Sequence, residues 1–266
     1  MTEDVGVNVT RDGAVLRLEL ARPDKRNAVS DEMMATLIGE IDRAGRDEAV
    51  RVIVISGAGD HFCSGADFVA RNENTTTRPR VGSIQRRLPS MANRLIPLIV
   101  NTQTPVVVRA HGWTAGLGLN IAVAADFCVA ADDARLWAPF TGKGFTPDSG
   151  ATWLLPRRIG EVRAREMVLL GREVSGREAV EWGLVHSAAP VAELDDAVEE
   201  VVDRLASGAT VALGLTKWLL HSGWSQTLEQ HLRDEAFGME LSSRSDDFRE
   251  GYAAFREKRD PDYRGR

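Results

Sequence analysis

Two short segments of small residues constrain the fold of this chain more than any other feature. They are residues 61–67, HFCSGAD, and residues 111–120, HGWTAGLGLN. Each follows an apolar run that predicts a strand (residues 52–56 and 106–109) and leads towards a predicted helix. Turns of this composition leave backbone N–H groups uncovered by side chains. Two such turns converging on one point would form an oxyanion hole, which stabilises charge on a carbonyl oxygen. The alternative is that they are only tight turns with close packing.

The order of the predicted elements indicates an α/β core. Residues 16–20 alternate leucine with charged residues, which is typical of a half-exposed strand, and residues 52–55 predict a buried one. Ser30 is expected to cap a helix. The buried face of that helix has the i, i+3, i+4, i+7 spacing of Met34, Leu37, Ile38 and Ile41. Further strands are predicted near residues 105–109 and 127–130, with a helix from about Gly118 between them. Strands that alternate with helices, rather than forming hairpins, predict an α/β fold.

Helical patterns dominate after about Asp148. One stripe predicts a helix near residues 194–205, and residues 246–258 form an amphipathic stretch. We therefore predict an α/β core over residues 1–200 and a helical C-terminal region over residues 201–266. No repeat is visible in the sequence. Residues 71–80 are polar and predict a mobile surface loop.

Composition argues against several classes of function. The net charge of −6 disfavours nucleic acid as the main partner. No apolar run reaches the roughly 18 residues that span a bilayer, and the acidic N-terminus is unlike a targeting signal, so we expect a cytoplasmic protein without membrane contact. Cys63 and Cys128 are too few for a disulfide framework, and no histidine or cysteine pair has zinc-ligand spacing, so no metal is expected.

Six motifs, taken in their order and spacing, resemble the crotonase (enoyl-CoA hydratase/isomerase) superfamily over nearly the whole chain. They are residues 22–28 (RPDKRNA), 62–67 (FCSGAD), 111–126, 147–150 (PDSG), 179–185 (AVEWGLV) and 248–259. The resemblance implies a spiral of ββα units and a helical C-terminal trimerisation region, in a homo-oligomer that is a trimer or a hexamer. It also implies an acyl-CoA thioester as substrate, so that coenzyme A enters as part of the substrate and no separate cofactor is expected.

The resemblance also implies roles for particular residues. The oxyanion donors map onto the backbone N–H groups of Ala66 and Leu117, in agreement with the two small-residue turns. Contacts to coenzyme A map onto five residues. For the basic ones among them, the alternative to a coenzyme A contact is an ordinary solvated position on the surface. These five are Lys25, Arg26, Ala28, Phe255 and Lys258, the last two often contributed by a neighbouring subunit.

The chain departs from the family pattern at the acids and bases. Hydratases of the family use two glutamates, and their positions are occupied here by Asn120 and Phe140, neither of which can act as a general base. Asp148 remains as an acid/base, and its PDSG motif resembles the branch that contains isomerases of ring-opened phenylacetate-type thioesters. The alternative for Asp148 is a helix cap. His61, His111, Asp67 and Asp126 are expected to make local structural contacts.

Three functions follow as hypotheses. The first is an enoyl-CoA isomerase in which one aspartate shifts a double bond. The second is an enoyl-CoA hydratase of low efficiency in fatty acid oxidation, with Asp148 handling water. The third is an acyl-CoA binding protein without catalysis.

Overall fold

The computed structural model of the chain describes residues 6–67 and 80–266. The loop predicted at residues 71–80 lies, except for Arg80, outside the described residues. The strands are β1 Val7–Asp12, β2 Val15–Leu20, β3 Val52–Gly57, β4 Val106–Ala110, β5 Trp113–Ala115, β6 Phe127–Ala131, β7 Arg135–Trp137, β8 Val174–Ser175 and β9 Ser187–Ala189. The helices are α1 Asp31–Ala44, α2 Ser83–Arg87, α3 Ala92–Asn101, α4 Leu117–Ala124, α5 Ala151–Leu169, α6 Gly176–Trp182, α7 Leu194–Ala206, α8 Thr210–Ser222, α9 Leu228–Ser242 and α10 Asp246–Glu257.

The described part of the chain begins with a hairpin, which corrects the expectation of strands without hairpins. β1 pairs antiparallel with β2, with Val7 opposite Leu20. The sequence carried no signal for β1 because this strand is at the sheet edge and exposed along most of its length, so it has no apolar face. From β2 onwards the prediction is confirmed, since β2, β3, β4, β6 and β9 are parallel neighbours in one sheet. Such strands need crossover connections, which helices supply.

The core elements form where the sequence predicted them. The Ser30 hydroxyl accepts a hydrogen bond from Met33 N and caps α1. The predicted inward face of α1 is buried, and so are all but one of the residues of β3. The stripe on α7 packs over β3, β4 and β6 through four buried residues. These are Leu194, Val198, Val202 and Leu205.

The chain passes twice through the same structural unit. In the first unit, β4 lies in the large sheet, β5 lies in a second sheet of three strands, and α4 follows. In the second unit, β6 lies in the large sheet, β7 lies in the second sheet, and α5 follows. An isolated bridge between Cys63 and Thr114 joins the first small-residue segment to β5. This is the predicted spiral of ββα units. The sequence showed no repeat because the units share geometry rather than residues.

The C-terminal helices are tied to the core and also carry apolar surface. Lys217 of α8 is buried and donates to Ile99 O (3.0 Å), to Thr104 O (3.3 Å) and to Asp126 Oδ2 (2.6 Å). α9 packs on α8. Several large apolar side chains of α9 and α10 are exposed, namely Leu228, Leu232, Phe237, Met239, Leu241, Phe248, Tyr252 and Phe255. No helix within the described part of the chain is long and apolar enough to cross a bilayer.

Candidate active site

The two small-residue segments lie against each other. Cys63 N donates to Trp113 O and Ala115 N donates to Cys63 O, both at 2.9 Å, so the segments run side by side. Gly65 has a φ of +116°, and a β-carbon placed there would lie 3.4 Å from Ala115 O and 3.8 Å from Leu117 N. The two segments therefore converge, which is the condition stated for an oxyanion hole.

Gly118 allows this close approach. A β-carbon at Gly118 would lie 2.6 Å from Cys63 O and 2.7 Å from Cys63 Cβ, closer than real contacts allow. Burial raises the pKa of the Cys63 thiol to about 12. The thiol therefore stays protonated and can donate to Gly65 O, 3.7 Å from Sγ. Cys63 is thus a packing residue beneath the two turns.

The backbone N–H groups of Ala66 and Leu117 are both available to a ligand. Val29 N donates to Gly65 O and Asp67 N donates to Val29 O, and these two hydrogen bonds hold the first turn. Ala66 N, between them, donates to no described backbone group. Leu117 is the first residue of α4, so its N–H has no partner within the helix. Both residues line one pocket. The arrangement can hold an oxygen that carries developing negative charge.

Asp148 lines the same pocket and supplies its single carboxylate among the described lining residues. The alternative role as a helix cap is not observed, because Gly150 is the N-cap of α5 and no side chain caps that helix. The Asp148 carboxylate instead accepts a hydrogen bond at Oδ1 from the Ser149 hydroxyl, at 2.8 Å. The described lining comprises Met34, Ser64, Gly65, Ala66, Arg87, Leu88, Met91, Ala92, Gly116, Leu117, Pro139, Phe140, Lys143, Phe145, Asp148 and Ser149.

The two positions to which the resemblance assigns the glutamates of hydratases differ in their surroundings. Phe140 lines the pocket, is buried, and meets Phe145 edge-on with ring centroids 5.8 Å apart. Asn120 is fully buried in α4 and its Nδ2 donates to the Asp148 backbone oxygen at 3.1 Å. Phe140 therefore gives the pocket an apolar wall, and Asn120 contacts the segment that carries Asp148. The sequence did not predict the Asn120 contact.

The residues predicted to bind coenzyme A fall in two places. Ser64 N donates to Arg26 O at 3.0 Å and Ser64 Oγ to Lys25 O at 3.4 Å, so the turn that carries Lys25, Arg26 and Ala28 lies beside the pocket. Phe255 is on α10 and Lys258 is the C-cap of that helix, and neither lines the described pocket. Phe255 is 83% exposed, which is compatible with a contact made to another copy.

Asn27 holds this turn and was missed at the level of sequence. Its side chain is fully buried; Oδ1 accepts from Arg22 N, and Nδ2 donates to Ala58 O and His61 O. Its φ of +53° follows the +51° of Arg26, and asparagine adopts this left-handed conformation more readily than most residues. That preference was the signal available in the sequence.

The local roles expected for the remaining polar residues are confirmed. Trp113 N donates to His61 Nδ1 at 3.2 Å, and Arg22 pairs with Asp67 at 2.9 Å. His111 contacts Gly59 O through Nε2 and Arg109 through Nδ1, and burial lowers its pKa. No group of three or more metal-ligating side chains occurs within residues 6–67 and 80–266.

The family model described as Enoyl-CoA hydratase/isomerase matches residues 10–266. The chain belongs to this family. It is 36% identical over 254 residues to the 1,2-epoxyphenylacetyl-CoA isomerase of Escherichia coli, with 95% of each chain covered. It is also 36% identical over 252 residues to a Rhodobacter capsulatus protein named a probable enoyl-CoA hydratase, with 94% of each covered. The solved enoyl-CoA hydratase of Bacillus anthracis superposes with a TM-score of 0.91 at 30% identity, covering 98% of this chain and all of that one. Family membership confirms the crotonase fold expected from the motifs, and the relatives' names include both isomerase and hydratase.

Proposed function

We propose that this family member is an enoyl-CoA isomerase that moves a proton with Asp148 alone. The observation that carries the proposal is the composition of the described pocket lining. It holds one carboxylate and two residues whose backbone N–H groups donate to no described backbone acceptor, and Phe140 forms an apolar wall at the position that the resemblance assigns to the second glutamate of hydratases. One carboxylate suffices for isomerisation, because the proton it removes is the proton it returns.

The proposed reaction starts with a 3-enoyl-CoA whose thioester oxygen accepts hydrogen bonds from Ala66 N and Leu117 N. The Asp148 carboxylate takes a proton from C2, and the electrons of that C–H bond form a dienolate whose oxygen carries the negative charge. The two N–H donors stabilise this charge. The protonated Asp148 then gives the proton to C4, which leaves the double bond between C2 and C3 and restores the carboxylate.

The test is isomerisation in D₂O by the wild type beside Asp148→Asn. We expect kcat to fall by about 10²–10⁴-fold, the usual contribution of a general base, with coenzyme A binding unchanged. The control is Asp133→Asn, the same substitution at an exposed aspartate outside the pocket, which should leave kcat unchanged. Full activity of Asp148→Asn would contradict the assignment.

The names of the hydratase relatives favour a second candidate, in which Asp148 handles water. Mass spectrometry and ultraviolet absorbance of the same reactions separate the candidates. A product that gains the mass of one D₂O molecule supports the hydratase. A product without added water, whose absorbance shows a double bond conjugated with the thioester, supports the isomerase. A thioester that binds tightly and is recovered with its double bond unmoved and no water added would support the non-catalytic binder instead.

We further propose a homo-oligomer in which coenzyme A binds between Lys25, Arg26 and Ala28 of one copy and Phe255 and Lys258 of another. The exposed apolar side chains of α9 and α10 support this, since exposed apolar surface in this amount is typical of an interaction surface. Light scattering after size-exclusion chromatography measures the molar mass in solution and so tests the trimer or hexamer that the motifs imply.

A further inference from the structure

Asn120 is buried in a way that protein stability does not explain. Its side chain is fully buried, and Nδ2 donates to Asp148 O at 3.1 Å. Its Oδ1 has no hydrogen-bond partner among the described residues. A buried acceptor without a donor lowers stability, because the group lost its water when the chain folded. An apolar residue at this position would avoid that cost.

The Asp148 carbonyl does not depend on Asn120 for a partner. Asp148 O also accepts from Ala151 N, at 3.1 Å, in the first turn of α5. The Asn120 contact is therefore a second bond to an acceptor that is already satisfied, and its effect is to fix the main chain of Asp148 to α4. Asn120 lies three residues after Leu117, so both are on one face of this helix. One helix thus carries a proposed oxyanion donor and the side chain that holds the segment of the proposed base.

Ser149 restrains the carboxylate itself. Its hydroxyl donates to Asp148 Oδ1 at 2.8 Å, and no hydrogen bond from a described residue reaches Oδ2. Ser149 is buried with a φ of +52°, in the left-handed region that a non-glycine residue adopts only at an energetic cost. A glycine there would relieve the strain but would lose the hydroxyl.

We propose that Asn120 and Ser149 are positioning residues that leave Asp148 Oδ2 as the single atom that carries the proton. Asn120 fixes the main chain of the aspartate relative to Leu117 N, and Ser149 fixes the rotation of its carboxylate. This inference rests on the proposed function of Asp148. Positioning of Asp148 matters because displacement of a reacting group by about 1 Å can lower the rate by about 10²-fold.

The test uses Asn120→Leu and Ser149→Gly, each measured for kcat, KM and thermal stability. Asn120→Leu keeps the branched shape and removes both the tether and the unpartnered oxygen. Ser149→Gly removes the hydroxyl and the strain together, and Ser149→Ala removes the hydroxyl while keeping the strain. The matched control is Val123→Ala, a buried position on α4 that does not line the pocket.

We expect Asn120→Leu, Ser149→Gly and Ser149→Ala to lower kcat by about 10–100-fold with KM unchanged. Ser149→Gly should do so without loss of thermal stability, and Val123→Ala should lose stability with kcat unchanged. If Asn120→Leu and Ser149→Gly keep wild-type kcat while Asp148→Asn is inactive, the positioning role is wrong and the proposed function stands. If Asp148→Asn is active, the proposed function is wrong and the positioning role falls with it.

Discussion

Replacement of Lys217 by methionine should destabilise the protein more than any exposed lysine substitution. The ammonium group of Lys217 is buried against Asp126, whose Oδ2 also accepts from Val106 N at 2.8 Å. Methionine fills much of the lysine volume but leaves the Asp126 carboxylate, whose side chain is only 14% exposed, without the Lys217 cation. Breaking a buried ion pair from one side costs about 3–5 kcal/mol.

The loss also reaches two carbonyl groups, those of Ile99 and Thr104, because both accept from Lys217. We therefore expect a fall of about 4 kcal/mol in the free energy of unfolding. For a chain of this size, 1 kcal/mol corresponds to roughly 2–4 °C, so Tm should fall by about 8–16 °C. Thermal and urea unfolding at a fixed protein concentration measure the change.

The double variant Lys217→Met/Asp126→Asn removes both charges and should be more stable than Lys217→Met alone. Lys143→Met is the matched control, since Lys143 is exposed and should change stability little. A loss below about 1 kcal/mol for Lys217→Met would refute the reasoning. So would a double variant less stable than Lys217→Met.

Three further results are expected. Gly118→Ala should lower kcat and stability together, because its β-carbon would meet Cys63 O at 2.6 Å and force the two donor segments apart; wild-type kinetics would contradict this. Both cysteines should resist a thiol reagent at pH 8 in the folded protein and react in denaturant, since burial raises the pKa values of Cys63 and Cys128 to about 12. Stability should fall as pH drops below about 6.5, because burial lowers the pKa of His111 and the unfolded chain takes up the proton first. The His111→Gln side chain can accept from Arg109 and donate to Gly59 O, so the stability of this variant should fall less steeply than that of the wild type as the pH drops. Identical curves of stability against pH for the two proteins would exclude His111 as the cause.

The sequence predicted the elements in which the local pattern of apolar and polar residues shows which side chains are buried. The apolar run at β3, the stripe on α7 and the cap at Ser30 each follow from local patterning, and each is present. β1 and the short strands β5, β7, β8 and β9 were missed, since exposed or very short strands have no apolar periodicity to detect. β5 lies within the segment that the sequence indicated only as a turn.

The sequence predicted individual residues of the candidate site but not the hydrogen bond that links Asn120 to Asp148. Ala66, Leu117 and Asp148 were singled out from motifs, and one pocket contains all three. The tether from Asn120 to Asp148 joins residues 28 positions apart, and no local pattern encodes such a pair. The roles predicted for Phe255 and Lys258 stay predictions. In the proposed oligomer they involve a second copy of the chain, which no pattern within one copy can locate.

The two proposed oxyanion donors are main-chain atoms, and this limits what a point substitution can do to the site. Every residue except proline presents the same N–H group, so a change of side chain at Ala66 or Leu117 leaves the donor itself in place. The side chains at positions 120, 140 and 148 are free to differ in charge, size and hydrogen bonding. A scaffold of this kind can therefore acquire a different proton-transfer reaction by exchanging side chains around a carbonyl-binding centre that stays the same.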